Sequence, residues 1–184
     1  MMPSVYRISK AAGFQSLEPV DEEEYQRKRE EGAWAFTGRR YRGEWTPIEL
    51  RRSGEGASPD IWTFRNTILI EENAIQPLGL YIEQTGNFYA VPFEGRELLA
   101  VHVMYAPSCL DVANSTFDDS TNPPSIKEYA LHRSRIDWSL FKIPETHETE
   151  ILTVQGLVAD DSEFKSQCEK HRFTGIVFDL LDEW

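Results

Sequence analysis

Residues 88–105 read FYAVPFEGRELLAVHVMY and decide the fold class. Two apolar runs, 88–93 and 97–105, contain aromatic and β-branched residues, and the turn residues 94–96 separate them. Runs of this length around a short glycine-containing turn are typical of a β-hairpin. The sequence therefore predicts an antiparallel pair of strands in the middle of the chain.

Further short strands are predicted on both sides of this hairpin. Apolar runs bounded by turn residues indicate strands at 4–8, 46–51, 67–70, 128–132, 140–143, 151–154 and 173–181. Strands and helices do not alternate regularly, so a parallel βαβ sheet is not expected. We predict an α+β fold with a mostly antiparallel sheet of at least seven short strands and two or three helices.

Three segments favour a helix. Residues 21–31 are charge-dense and almost free of apolar side chains, which predicts a marginal, solvated helix. Asn73 is expected to cap a second helix, with Pro77 in its first turn, where a missing N–H has little effect. Asp160 and Glu163 have the spacing of a capping box at the start of a third helix over 162–171.

The charge of the chain is unevenly distributed. Residues 1–56 hold ten basic and ten acidic side chains, whereas residues 57–184 hold nine and 21 and carry the whole net charge of −12. A chain of 184 residues suits one domain. We therefore predict a charge-balanced segment, 1–56, packed on an acidic core, 57–184, as one structural unit.

The acidity of the chain argues against several classes of partner. Proteins that coat nucleic acid or dock on anionic lipid normally need a basic surface. The basic run 39–42, RRYR, lies between Trp34 and Trp45 and is interpreted as arginines in contact with neighbouring rings. The amino terminus lacks an apolar signal region, and no stretch approaches the ~18 apolar residues of a membrane span. We expect a cytoplasmic protein that binds neither nucleic acid nor membrane.

A search for catalytic chemistry finds little. Cys109 and Cys168 lack metal-ligand spacing and are interpreted as reduced, small hydrophobic residues. The four histidines contain no i, i+3 or i, i+4 pair, and no phosphate-binding loop or nucleophile elbow occurs. We predict no catalytic residue, no metal and no cofactor. The alternative is a small enzyme whose site is assembled from distant residues such as His102, Asp111 and His132.

One ordered set of segments points to a family. The segments are Phe36-x-Gly38, Trp45-x-Pro47, Pro59-Asp60, Ile68-Leu69-Ile70, Asn73-Ala74, Cys109-Leu110-Asp111 with Ser115, Leu140-Phe141-Lys142-Ile143-Pro144 and Phe173-Thr174-Gly175-Ile176-Val177-Phe178. In this order, across residues 34–181, they resemble the bacterial polymorphic-toxin immunity proteins known as immunity family eleven, formerly a domain of unknown function. The chain departs from the family in the run DVANSTF at 111–117 and in the insertion DDSTNPPS at 118–125.

The resemblance implies an inhibitor rather than an enzyme. Such a protein neutralises a cognate toxin, delivered by a contact-dependent secretion system, through tight stoichiometric binding in the cytoplasm. We expect the motif residues to hold the fold: Trp45 and Phe178 as core anchors, Gly175 at a close backbone approach, and Asp111 with Ser115 capping a turn.

The partner contacts are expected among carboxylates in loops, because a toxin that acts on nucleic acid carries a basic cleft. The predicted partner-binding residues are Asp118, Asp119, Glu145, Glu148, Glu150, Asp160 and Asp161. A regulatory interaction domain with no toxin partner remains the other alternative.

Overall fold

A computed structural model describes residues 2–121, 124–158 and 162–184 of the chain. Within these residues the fold is α+β, with three helices and twelve strands, which confirms the predicted class. The helices are α1 (Glu22–Glu30), α2 (Glu72–Glu83) and α3 (Phe164–His171). The strands are β1 (Ser4–Lys10), β2 (Ser16–Pro19), β3 (Leu50–Ser53), β4 (Ile61–Phe64), β5 (Thr67–Ile70), β6 (Gly86–Phe93), β7 (Arg96–Val103), β8 (Thr116–Asp118), β9 (Ser125–Glu128), β10 (Leu140–Phe141), β11 (Leu152–Gln155) and β12 (Ile176–Glu183).

The predicted hairpin at 88–105 is formed by β6 and β7. Phe93 pairs with Arg96, so only Glu94 and Gly95 connect the two strands. Both have positive φ, 48° and 79°, as a two-residue type I′ hairpin turn requires. The hairpin occupies the middle of a six-stranded sheet in the order β2-β3-β6-β7-β5-β4. Its strand pairs are antiparallel except β3 with β6.

The remaining strands form two further sheets. A four-stranded antiparallel sheet has the order β10-β11-β1-β12, so the first and last strands of the chain are neighbours. The third sheet is the hairpin β8-β9. Residues 1–56 supply β1 to the four-stranded sheet and β2 and β3 to the six-stranded one.

Three apolar clusters hold these layers together. The first lies under α2 and α3 and contains Leu78, Ile82 and Phe164. The second is aromatic and packs against the six-stranded sheet, which curls until its edge strands β2 and β4 lie close together. The third surrounds Val5 and Phe141 on the four-stranded sheet. No helix in the described residues is both long and apolar enough to cross a membrane.

The predicted helices all form, but their details differ. The prediction of a solvated α1 is wrong at Tyr25, whose side chain is buried. The centroid of its ring lies 6.1 Å from that of Trp34 and 5.5 Å from that of Phe64. α2 begins after Glu71 rather than Asn73, so Pro77 lies inside the helix. Interior proline weakens a helix by about 3 kcal/mol, and burial of the apolar face of α2 offsets this.

Other differences concern strand ends and the third helix. The strand predicted at 46–51 forms at Leu50–Ser53, and the one predicted at 128–132 forms earlier, at Ser125–Glu128. The start of the predicted capping box, Asp160, lies outside the described residues. Glu163 precedes α3, and its side chain bonds to the loop before the helix rather than to a cap N–H.

Candidate partner-binding surface

The predicted carboxylates of the long loop lie at the hairpin β8-β9. The Asp118 carboxylate accepts hydrogen bonds from the backbone N–H and the hydroxyl of Ser120, and both bonds lower the pKa of Asp118. Asp119 is exposed. Asp118 is therefore committed to the turn, whereas Asp119 is open to a partner.

The predicted carboxylates after β10 are only partly exposed. Glu150 accepts a hydrogen bond from Arg7 at 3.2 Å and from the Tyr129 hydroxyl at 2.5 Å. Burial, together with this carboxylate, raises the pKa of Tyr129. Glu148 accepts from the backbone N–H of Gly38 at 2.8 Å. Glu145 has one carboxylate oxygen, Oε2, that is buried without a hydrogen-bond partner in the described structure.

The structure brings some of these carboxylates together and separates others. Glu145 and Glu150 line one pocket of about 340 Å³ beside Ser125 at the start of β9. Glu148 is directed instead to Gly38. Asp160 and Asp161 lie outside the described residues.

Two motif segments of the family resemblance, Phe36-x-Gly38 and Leu140–Pro144, meet at residues 36–38. Lys142 donates from Nζ to the carbonyl of Phe36 and, at 2.8 Å, to that of Asn66. His102 Nε2 lies 2.6 Å from the carbonyl oxygen of Thr37, and Glu148 accepts from Gly38. Side chains from strand β7, from the residue that follows β10 and from a turn thus hold three successive residues of a segment that has no regular secondary structure.

Burial dominates the electrostatics of this cluster. Lys142 is completely buried, and burial lowers its pKa to about 7, although the Glu148 carboxylate acts in the opposite direction. Burial also lowers the pKa of His102, and nearby Lys142 adds to the effect. The cluster holds the 36–38 segment in place, and the Lys142 side chain is closed to solvent.

The loop beyond this cluster exposes three arginines, Arg39, Arg40 and Arg42. The predicted ring contacts of these arginines are not formed. In the described residues, cation–π pairs are made by Arg52, Arg65, Arg96 and Lys165. The prediction is wrong because the nearby rings of Trp34, Phe36 and Trp45 pack on one another instead.

A second pair of motif segments meets near the end of the chain. The Asp60 carboxylate accepts from the backbone N–H and the hydroxyl of Thr174, at 2.9 and 2.6 Å. Gly175 has a φ of +100°, and a Cβ atom there would overlap the carbonyl oxygen of Ile61 and the ring of Pro59. The close backbone approach expected at Gly175 is therefore present.

The remaining motif residues also have structural contacts. Asp111 Oδ1 accepts from the backbone N–H groups of Ala113 and Asn114, and the Ser115 hydroxyl donates to the carbonyl of Asp111. These contacts form the expected turn. Trp45 and Phe178 are partly buried against the aromatic cluster and the α2–α3 cluster, respectively.

The residues of the alternative enzyme site are only partly adjacent. His132 Nε2 lies 3.9 Å from Asp111 Oδ2, whereas His102 packs against the rings of Phe36 and Tyr89. Across the described ranges no group of three His, Cys, Asp or Glu side chains could hold a metal ion. Cys109 and Cys168 are buried free thiols, and burial raises the pKa of Cys109 to about 12.

One surface feature was not predicted from the sequence. Leu80 on α2, Trp138 before β10 and Val158 after β11 have exposed fractions of 62%, 41% and 45%. All three line one concavity of about 220 Å³, which we name the Trp138 groove. Trp138 lies between Asp137 and Ser139, and no local pattern in the sequence marks it as a surface anchor.

The walls of the Trp138 groove are held in place by buried hydrogen bonds. Glu163 is 1% exposed, and its carboxylate accepts from the backbone N–H groups of Gly156 and Leu157, both at 2.6 Å, and of Val158 at 3.2 Å. The Ser139 hydroxyl accepts from the N–H of Phe164, and its carbonyl accepts from the Thr153 hydroxyl. These bonds preorganise the described part of the wall at residues 156–158 and at the start of α3.

The groove is also negatively charged. Among the described residues, its lining includes the exposed carboxylate Asp137 and the buried carboxylate Glu163, and it contains no lysine, arginine or histidine. Eight cations elsewhere in the described residues are paired with carboxylates: Arg7, Arg27, Lys28, Arg51, Arg52, Arg65, Arg96 and Lys165.

Comparison with known proteins does not assign a function to this surface. The chain matches no model of a known protein family and no curated protein.

Proposed function

We propose that this chain is an immunity protein, which binds a cognate antibacterial toxin in the cytoplasm and neutralises it stoichiometrically, without turnover. The observation that supports the proposal best is the surplus negative charge of the chain, −12. Exposed carboxylates such as Glu44, Glu83, Glu97 and Asp119 form no ion pair within the described residues and are available to the cations of a partner.

Surplus charge of this size has a definite use in an inhibitor. A toxin that acts on nucleic acid or nucleotides needs a basic cleft, and an acidic protein associates rapidly with such a cleft because the two fields attract. The family resemblance supports the same function. Its segments are distant in sequence, yet Asp60 bonds to Thr174, and Lys142 bonds to Phe36. Contacts between segments that are distant in sequence are expected if those segments together define one fold.

The test is protection by co-expression. The protein encoded directly upstream of this chain's gene is produced in bacteria alone and together with this chain. We expect growth arrest in the first case and full growth in the second, and a purified complex of one copy of each protein. Equal growth in both cases would contradict the proposal. A pull-down with this chain that recovers a housekeeping protein and no toxin would also contradict it.

The salt dependence of the association rate distinguishes electrostatic attraction from nonspecific binding. The association rate is expected to fall at least about tenfold between 50 and 500 mM salt, because screening shortens the range of the attraction. A rate that is independent of salt would remove the electrostatic part of the proposal.

A further inference from the structure

We infer that the Trp138 groove is where the toxin binds, and that it receives one large apolar side chain flanked on the toxin by lysine or arginine. This inference rests on the proposed function and specifies the surface through which the function is exerted. None of the described groove residues belongs to the carboxylates predicted from the sequence.

The apolar exposure of the groove is the first argument. Three of the eight large apolar side chains that are exposed in the described residues line this one concavity. Single exposed apolar residues are ordinary on protein surfaces, but a contiguous apolar patch marks an interaction site. All five tryptophans lie in the described residues, and Trp138 is the most exposed of them. Tryptophan is among the side chains that most often dominate binding energy.

The volume and the shape of the groove indicate a side chain as its occupant. Its volume of about 220 Å³ lies below the range from ~300 Å³ that is usual for small-molecule sites. Its floor and walls come from α2, from the 137–139 connection and from the loop that Glu163 holds. A preorganised groove loses little conformational entropy on binding, which favours affinity.

The charge of the groove decides between two occupants. A second copy of this chain would bring the exposed Asp137 carboxylates of both copies close together, and like charges oppose such a pairing. A toxin segment with a basic side chain next to its apolar anchor would instead pair with Asp137, which is exposed. Charge complementarity therefore selects the basic partner.

The experiment measures the Kd of the full chain for the toxin encoded beside its gene, with matched variants. Trp138→Ala is expected to weaken binding at least about 30-fold, as removal of a central anchor does. Leu180→Ala truncates an apolar residue on β12 that is more exposed than Trp138 and does not line the groove, and it is expected to leave the Kd within about twofold. Unfolding midpoints of both variants confirm that they fold.

A second pair of variants tests the charge of the occupant at one position. Leu80→Lys and Leu80→Glu both place a charged side chain at the rim of the groove, on an exposed site of α2. We expect Leu80→Lys to bind at least about tenfold more weakly than Leu80→Glu, because a basic occupant repels lysine. Equal affinities, or the reverse order, would overturn the basic occupant.

The outcomes separate the two proposals. If the wild-type chain does not bind the toxin, the proposed function fails and the groove assignment fails with it. If the wild-type chain binds and Trp138→Ala binds equally well, the function stands and the groove assignment is overturned. A dimer of the chain alone in sedimentation that Trp138→Ala dissociates would also overturn it, in favour of a second copy as the occupant.

Discussion

Replacement of Lys142 by methionine should give a pH-dependent loss of stability. The variant keeps much of the apolar stem but leaves the buried carbonyl of Phe36 and the partly buried carbonyl of Asn66 without this donor. Each unsatisfied carbonyl destabilises the fold by about 1–3 kcal/mol. We therefore expect Lys142→Met to lower the free energy of unfolding by about 2–6 kcal/mol at pH 9.

The loss should be smaller at pH 7, for a reason that the pKa of Lys142 supplies. In the folded protein this pKa is lowered to about 7 from the ordinary value of 10.5. Between these pH values the unfolded chain binds more protons, so the stability of the wild type rises with pH by up to about 1.4 kcal/mol per unit. Methionine does not titrate. The wild type should gain about 2 kcal/mol over the variant between pH 7 and pH 9.

Guanidinium unfolding of both proteins at pH 7, 8 and 9 measures this difference directly. Titration of the Cys109 thiol also affects stability near pH 9, but it is common to both proteins and cancels. Lys127→Met, on the exposed strand β9, controls for the loss of a positive charge at the surface. A difference between wild type and Lys142→Met that is the same at pH 7 and pH 9 would refute the reasoning.

Three further substitutions test single contacts through urea or thermal unfolding. Gly175→Ala should lower the free energy of unfolding by about 3 kcal/mol or more, because its Cβ would meet the Ile61 carbonyl at a positive φ. The control Gly13→Ala also has a positive φ but no atom within 4 Å of the new Cβ, so it should lower the free energy of unfolding by about 1 kcal/mol, and equal losses in the two variants would contradict this reasoning. Glu163→Gln should lower the free energy of unfolding by about 2–3 kcal/mol. The glutamine amide has one oxygen that accepts hydrogen bonds, whereas both carboxylate oxygens of Glu163 accept from the three backbone N–H groups. An unchanged urea midpoint would show that these bonds contribute nothing to stability. Glu145→Met should raise the free energy of unfolding by about 1 kcal/mol, because it replaces a buried carboxylate oxygen that lacks a partner with an apolar group of similar length. A lower melting temperature would argue against that account.

The local elements of this fold are predictable from sequence because their causes are local. The hairpin β6-β7 follows from two apolar runs and the pair Glu94-Gly95, whose backbone adopts the left-handed turn. β1 and the region of β12 follow from apolar runs as well. Errors of a few residues at the ends of β3, β9 and α2 arise where tertiary packing outweighs local preference.

The candidate site shows the opposite case. The sequence predicts acidic loop residues from charge density, but it cannot tell that Asp118 and Glu150 are bonded within the chain while Asp119 is open. The Trp138 groove carries no pattern in the sequence at all. Leu80, Trp138 and Val158 are 20 or more residues apart from one another and are brought to one surface only by the packing of α2, β10 and β11.

Composition and local periodicity thus determined the α+β class, the central hairpin and the negative charge, since each depends on neighbouring residues or on simple counts. Tertiary structure alone decided that β1 pairs with β12, that Lys142 is buried beneath the Phe36 segment, and which apolar side chains remain at the surface. Burial is a property of contacts between distant parts of the chain, and a residue's immediate neighbours in sequence do not specify those contacts.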